Sequence, residues 1–485
     1  MNTINLPPYA PTLIESTRAI GYSLEAAVAD IIDNSIAASA RNIDIFFFPI
    51  DSAYIAVLDD GFGMSSDELN CAMQYGSKNP AAARDEKDLG RFGLGLKTAS
   101  LSQCRCLTVI TKQGDFIEGR RWDLDHIAQV ESWSLLVLGA KEINEAPQIE
   151  LLRSYQSGTL VVWQNLDRLK VGEINFEQAL GRKIDSVREH LALVYHRYLA
   201  GEKGLTKLKL NINGSRVRPK DPFLTGKSHQ PMDDEVLVVR GEKILVRPYI
   251  LPHTSKLSKD EIDALGGKEG LRAQQGFYIY RNKRLLVWGD WFRMMRKGEL
   301  SKLARIQIDI PNTLDDLWTL DIKKSAAIPP AEVRSNLKNI IAKLAEHSKR
   351  TWTYRGKKET SDDISHVWNR LKTRNGGYVY EINKENPVLA RLRSNYPEAR
   401  RDIEILLRQI ETGLPLNALY LDLSNDEKIE NEEEIQLNEL LQMVKQILQT
   451  TDAALKKPMI ETLVNSEPFS FYADEIRSAF EEGKI

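Results

Sequence analysis

Cysteine is scarce in this chain of 485 residues; three occur, Cys71, Cys104 and Cys106. So small and odd a number excludes a disulfide framework and suits a reducing compartment. Cys104 and Cys106 form a CxC, but no second Cys or His pair lies at metal-ligand spacing, so buried-strand positions are expected rather than a zinc site. Charge of one sign is also lacking. The formal net charge of −2 argues against a protein dedicated to coating a polyanion. No apolar run approaches the roughly 20 residues that a membrane helix needs. The N-terminal MNTINLPPYAPTLIES has no basic region followed by an apolar core, so no signal peptide is expected. These absences point to a cytoplasmic protein with no membrane association. There is no internal repeat, and the length suits two or three domains of about 150 residues each.

What is present is hydrophobic periodicity of two kinds. From Ser23 to Ala40, Leu24, Ala27, Val28, Ile31, Ile32 and Ser35 follow the spacing of a helix with one buried face. IDIFFF and YIAVL then read as strands, the second running into Asp59-Asp60-Gly61. Ser65 with Glu68 forms a capping box that starts a helix. Lys78 to Asp88 is polar and Ala-rich and reads as a mobile loop. A helix over Gly93–Gln103 follows, then strands CLTVIT, DFIEGRRW and TLVVWQNL. Together they predict an α/β sandwich over residues 1–170. A helix from Phe176 to Leu199 leads into a second α/β unit, residues 171–349. Its strands are LKLNIN, EVLVV, KILVRPYI, GFYIYRN and ARIQIDI, and a helix from Ala331 to His347 closes it. Ser348 to Asp363 reads as a linker. Residues 350–485 are mostly helical by periodicity, with YVYEINKENPVL as a strand entering a Pro-initiated helix and an acidic stretch at 426–434. This last region is expected to mediate dimerisation or partner contact.

Four short segments carry chemistry. Asp30 and Asn34 lie four apart on the first helix and share a face. A hard cation with phosphates would satisfy them, because Mg²⁺ takes oxygen ligands and keeps several waters; the alternative is a solvated helix face. Asp59, Gly61, Gly63 and Met64 follow a strand end, where an ionised Asp can accept from an exocyclic amine such as that of adenine. The same residues also serve a plain strand-to-helix turn. In Gly90-Arg91-Phe92-Gly93-Leu94-Gly95-Leu96-Lys97, glycines at spacing 3 and 2 open a helix whose N–H groups and dipole can hold phosphates. The spacing is neither a Walker A loop nor the dinucleotide fingerprint. Ser157-Gly158-Thr159 begins a strand and says little alone.

In order and spacing, these four segments resemble the N, G1, G2 and G3 boxes of the GHKL (Bergerat-fold) ATPase superfamily, over roughly residues 10–170. The superfamily includes type II topoisomerase ATPase subunits, MutL, heat-shock chaperone ATPases, histidine kinases and MORC proteins. The resemblance implies ATP and Mg²⁺ as cofactors. It makes Asn34 the Mg²⁺ ligand and Asp59 the adenine-reading carboxylate, with Gly61, Gly63 and Met64 beside it. Gly90, Arg91, Phe92, Gly93, Leu94, Gly95, Leu96 and Lys97 become the phosphate-binding segment. Thr159 contacts the adenine side through water, and the stretch from Met64 to Gly90 is a lid. The family usually has Glu, the activator of the hydrolytic water, where this chain has Asp30. Asp is one methylene shorter, so slow hydrolysis is expected.

QGFYIYRNKRLL, residues 275–286, resembles the Y-x-N-x-R-L strand of the transducer domain in MutL and MORC proteins. In the superfamily a transducer lysine reaches the γ-phosphate, and Lys323 or Lys324 occupies the corresponding place. No His lies upstream of the first box, as a histidine kinase would require, and residues 350–485 contain only His366 and no Cys, unlike a MutL endonuclease. The resemblance is greatest to compact prokaryotic MORC-like and MutL-like ATPases. It implies an ATP-gated homodimeric clamp, with DNA and with partner proteins of a phage-defence or restriction-like complex. A chaperone-like clamp on protein clients and a regulatory nucleotide-binding module with little hydrolysis are the alternatives. Arg281, Lys283, Arg284, Arg293, Arg296, Lys297, Lys302 and Arg305, interleaved with Trp288, Trp291 and Phe292, fit either a nucleic-acid surface or a basic surface beside a Trp-rich core.

Overall fold

A computed structural model describes residues 3–76, 95–318, 328–353 and 365–485, except residues 5, 7, 20, 229, 231, 254–255, 267–269, 299–300, 373–377, 417, 420–436, 450 and 452–454. It forms two compact units, Met1–Trp352 and Thr353–Ile485. The fold is mixed α/β in the first unit and largely helical in the second.

The first unit holds two sheets. The larger has eight strands: β1 (Asn42–Phe48), β2 (Tyr54–Asp59), β3 (Cys106–Gln113), β4 (Phe116–Asp123), β5 (Leu136–Val137), β6 (Ser157–Gln164), β7 (Lys209–Ile212) and β8 (Ser215–Arg216). Their order is β5-β4-β3-β6-β2-β1-β7-β8, antiparallel except for β1 with β7. Strand LKLNIN therefore belongs to this sheet, pairing Asn42–Ile45 with Lys209–Ile212, and not to the second sheet as its place in the sequence suggests. Successive side chains of a strand point to opposite faces, and the centre of the sheet obeys this. Ile55 and Val57 of β2, Val161 and Trp163 of β6, and Leu107 and Val109 of β3 enter one core. Ala56, Leu58, Leu160, Val162 and Ile110 enter a smaller cluster on the other face.

The larger core is covered by helices. Among them are α1 (Ala10–Arg18), α2 (Leu24–Ala37), α3 (Ser66–Met73), α4 (Gly95–Leu101) and the helix Phe176–Val194. The Ser23 side chain caps α2 by accepting from the Ala26 N–H at 3.2 Å. α3 begins at the expected capping box. The Ser65 N–H donates to Glu68 at 2.8 Å, and the Ser65 side chain accepts from the Glu68 N–H at 3.4 Å.

The second sheet has order β12-β11-β13-β10-β9, from β9 (Glu235–Val239), β10 (Glu242–Ile250), β11 (Gly276–Arg281), β12 (Arg284–Asp290) and β13 (Ala304–Ile310). The helix Ala331–Thr353 packs Val333, Leu337, Ile340 and Leu344 on one face. Tyr278 and Tyr280 point to the opposite face and join Phe223, Tyr249 and Leu285, with Leu193 packed against them.

In the C-terminal unit, strands Trp368–Lys372 and Tyr378–Ile382 pair antiparallel, and the helix Pro387–Asn395 follows with Pro in its first turn. The helices Leu437–Gln449, Lys456–Val464 and Ala473–Glu481 close a small core around Leu440, Val444, Ile460, Leu463 and Ile476. No helix among the described residues is long and apolar enough to cross a membrane.

Two glycines make opposite predictions. A Cβ on Gly158 would lie 2.2 Å from the backbone oxygen of Asp59. Gly158→Ala must therefore displace β6 from β2, at a cost of about 1–3 kcal/mol or more. Gly181 lies exposed inside the helix Phe176–Val194, with nothing within 4 Å of an added Cβ. There Ala replaces a poor helix former, and Gly181→Ala should stabilise by about 0.5–1 kcal/mol. Urea denaturation of both variants checks the pair. A stabilised Gly158→Ala would contradict the register at β2–β6.

Candidate active site

The alternation that sorts apolar residues across the sheet also places its polar ones. Asp59 continues the Ile55–Val57 face, Thr159 the Val161–Trp163 face and Thr111 the Leu107–Val109 face. Asp59 lies opposite Thr159, and Thr159 opposite Thr111. Three polar side chains thus form one rung across β2, β6 and β3, on the helix-covered side where the apolar ladder ends. All three are buried. The Met64 N–H donates to Thr111 Oγ1 at 2.8 Å, which ties the turn after β2 to the rung. Gly63, at φ +72°, makes that turn, and a Cβ there would lie 2.1 Å from the Lys112 carbonyl oxygen.

Asp59 is 4% exposed. Its Oδ2 accepts from the Ser35 hydroxyl at 2.7 Å and its Oδ1 from the Gly61 N–H at 2.9 Å. Burial pushes its carboxyl above the ordinary range, opposed by hydrogen bonds from Ser35 and from the backbone of Gly61 and Thr159. Three donors on about four lone-pair sites leave the carboxylate room for one more.

Ser35 belongs to α2, and the same helix carries the other candidate residues. Asp30 is buried, and its Oδ2 accepts from the Tyr22 hydroxyl at 3.0 Å. Asn34, one turn later, is exposed. α4 packs against α2 through its first residue: a Cβ on Gly95 would stand 3.3 Å from Asp30 Oδ2. α2 therefore joins the Asp30–Asn34 pair to the Asp59 rung through Ser35. Leu96 is half-buried against the main core. Lys97 is buried, and its Nζ donates to the Ala72 carbonyl at 2.8 Å, near the C-terminal end of α3. Gly90, Arg91, Phe92, Gly93 and Leu94, the expected loop at 78–88, and Lys323 and Lys324 lie outside the described residues.

Tyr22, Ser35 and Thr111 were missed by sequence reasoning. Ser35 was readable as the polar member of the buried α2 stripe. Thr111 follows from strand alternation once the β3–β6 register is known. Tyr22 carried no signal.

The basic, aromatic cluster of the second sheet is reorganised by burial. Arg281, Arg284, Lys302 and Arg305 are buried. Arg281 pairs with Asp315 at 2.7 Å, and Arg305 donates to the Leu265 carbonyl at 3.0 Å. Trp291 is a core residue. Arg293, Arg296 and Lys297 remain exposed. Half of the basic cluster is thus internal scaffolding, because a buried guanidinium must spend its donors on fixed acceptors.

Residues 22–159 match a protein-family model described as histidine kinase-, DNA gyrase B- and HSP90-like ATPase. A 93-residue segment is 32% identical to ATPase morc-1 of Caenorhabditis elegans, covering 19% of this chain and 10% of that protein. A 94-residue segment is 34% identical to the DNA mismatch repair protein MutL of Thermodesulfovibrio yellowstonii, covering 19% and 17%. The chain thus spans under a fifth of the curated relatives it matches. A solved N-terminal domain of a DNA repair protein superposes with a TM-score of 0.45 at 17% identity, over 70% of this chain and 99% of that one.

Asp59 yields a prediction whose sign follows from its raised proton affinity. A raised folded value contributes stability that is full below the unfolded value and is lost as pH rises through the folded one. Ionised Asp59 therefore burdens the fold at neutral pH. Asp59→Asn should melt at or above the wild-type temperature at pH 7, the gap closing as pH falls toward about 4. Its amide oxygen would be taken by Gly61, so nucleotide affinity should fall by about ten- to hundredfold. Thermal melts across pH and calorimetric titration with ADP test both halves. A variant that melts lower at pH 7 than at pH 4, relative to wild type, contradicts the reading.

Proposed function

Given that residues 22–159 form an ATP-binding domain of the GHKL type, with MORC and MutL proteins among its relatives, we propose that this chain is a Mg²⁺-dependent ATP hydrolase that works as an ATP-gated dimeric switch. One observation carries the reading: α2 alone bears a buried carboxylate held by a tyrosine, an exposed amide one turn on, and the serine that orients Asp59.

Each residue has a role its surroundings suit. The Asp59 carboxylate has room for one more donor, the exocyclic amine of adenine, and Thr159 stands beside it on the rung. The residues present suit Mg²⁺. Among the described residues no three His, Cys, Asp or Glu side chains gather into a cage, whereas an exposed amide oxygen on Asn34 provides the single protein ligand that Mg²⁺ commonly takes with phosphate and water. When bound, Mg²⁺ would neutralise charge on the transferring phosphoryl group. Asp30 acts as general base toward the attacking water, and the Tyr22 hydroxyl, 3.0 Å from its Oδ2, holds the carboxylate in place. The segment Gly90–Lys97 supplies N–H groups to the phosphates. Lys97 ends this segment, its Nζ donating to the Ala72 carbonyl at 2.8 Å. Lys323 or Lys324 approaches the γ-phosphate. Residues 1–170, 171–349 and 350–485 are read as ATPase, transducer-like and dimerisation or partner-binding regions.

The switch would act in a nucleic-acid-directed complex. The MutL relative, a DNA mismatch repair protein, supports this; so do exposed Arg293, Arg296 and Lys297.

Single-turnover hydrolysis separates binding from chemistry. Asp30→Ala should keep nucleotide affinity within about threefold and lose about 10²–10⁴ in rate. Asn34→Ala should lose Mg²⁺-dependent ATP binding. Unchanged turnover in Asp30→Ala, with binding abolished in Asn34→Ala, would remove Asp30 from its role. Mass measurement with a non-hydrolysable ATP analogue tests the switch: a dimer is expected, and a monomer in every condition refutes it. DNA affinity should fall with added salt.

A further inference from the structure

Asp33 stands between Asp30 and Asn34 on α2, yet the proposed chemistry gives it no task. It is 1% exposed. The Tyr195 hydroxyl lies 2.6 Å from its Oδ1 and 2.7 Å from the carbonyl of Ala29, the residue before Asp30. Arg284, the first residue of β12, sets its Nε 3.2 Å from the same carboxylate and is itself buried. Its Nη1 donates to the Leu285 carbonyl at 3.1 Å, and its guanidinium sits over the Tyr195 ring, 6.0 Å from the centroid. Tyr195 and Arg284 both lie outside residues 22–159, the segment that matches the ATPase family model.

The apolar face of α2 cannot do what this cluster does. Val28, Ala29, Ile31 and Ile32 are buried in the main core. Such contacts are non-directional and tolerate a small rotation or slide of the helix. A buried ion pair with a hydrogen-bonded tyrosine is directional, because displacement leaves a charge without its partner. Asp30 and Asn34 flank Asp33 in the chain, so what fixes Asp33 fixes them. Reacting groups need that accuracy: a 1 Å misplacement costs about 10²-fold in rate.

We propose that Asp33, Tyr195 and Arg284 form a positioning lock through which the second sheet sets the placement of Asp30 and Asn34. Arg284 is then a positioning residue for hydrolysis. Because the coupling runs both ways, nucleotide at the site also steadies β12. The inference rests on the ATPase reading above.

The test uses the full chain as wild type, Arg284→Met, Arg284→Lys and the double variant Asp33→Asn/Arg284→Met. Three quantities are read: nucleotide affinity (ADP without Mg²⁺, and a non-hydrolysable ATP analogue with it), single-turnover ATP hydrolysis and melting temperature. Arg284→Met should lower the hydrolysis rate at least about tenfold and weaken Mg²⁺-dependent binding of the analogue, while Mg²⁺-free ADP affinity stays within about threefold. The double variant leaves no lone buried charge, so its melting temperature should recover toward wild type; its rate should not. Arg284→Lys keeps the charge but not the planar fork, and should fall between. A double variant that regains rate together with stability would make the pair merely structural and overturn the lock. So would a wild-type rate in Arg284→Met. Should Arg284→Met fail to fold, the double variant decides alone. If the wild type binds ATP but never hydrolyses it, the ATPase reading fails by itself. The lock is then read by hydrogen exchange with a non-hydrolysable ATP analogue: protection of β12 amides should appear in wild type and vanish in the double variant. Equal protection in both overturns it.

Discussion

Carboxylates inside an apolar core constrain this structure more than any other feature. α2 carries Asp30 and Asp33 among Val28, Ala29, Ile31 and Ile32, and Asp59 ends a strand of Ile, Ala, Val and Leu. A buried charge without a partner is costly, so each acid dictates a neighbour distant in sequence. Asp30 takes Tyr22, Asp59 takes Ser35 and Gly61, and Asp33 takes Tyr195 and Arg284. These few bonds join the start of α2, the end of β2, the residue after the helix Phe176–Val194 and the first residue of β12. The apolar contacts hold α2 down; the acids decide how it is turned.

The sheet supplies the complementary order. Because β2, β6 and β3 pair in register, one alternation serves all three, and Asp59, Thr159 and Thr111 come level with no loop involved. A site built on strands is placed more accurately than one built on loops. The glycines at 63 and 158 permit this closeness, since at each a Cβ would lie within 2.2 Å of a backbone oxygen.

Much of this was legible in the sequence, and the failures have physical reasons. Helical and strand periodicities located α2, β1, β2 and the capped start of α3, and the motif spacing singled out Asp30, Asn34, Asp59 and Thr159. The strand Lys209–Ile212 was found but joined to the wrong sheet, because a four-residue strand after a helix does not say which edge it will pair with. The basic cluster left two readings open because charge is countable and burial is not: Arg281 faces Asp315, and Arg284 faces Asp33. Asp33, between Asp30 and Asn34, was given no role, since Tyr195 and Arg284 lie 162 and 251 residues away. Tyr195 was hidden in an apolar stretch that reads as plain core.

The same packing bears on Asp30, where the superfamily that this chain resembles usually has the longer Glu. Its Oδ2 is already bracketed, by the Tyr22 hydroxyl at 3.0 Å and by the start of α4, where even a Cβ on Gly95 would approach to 3.3 Å. A side chain one methylene longer would have to push Tyr22 aside or lift α4 from α2. Asp at 30 and Gly at 95 are therefore two halves of one fit: the short acid and the missing Cβ together let the start of α4 lie against α2. Lengthening position 30 alone would undo the fit without restoring the longer acid's geometry.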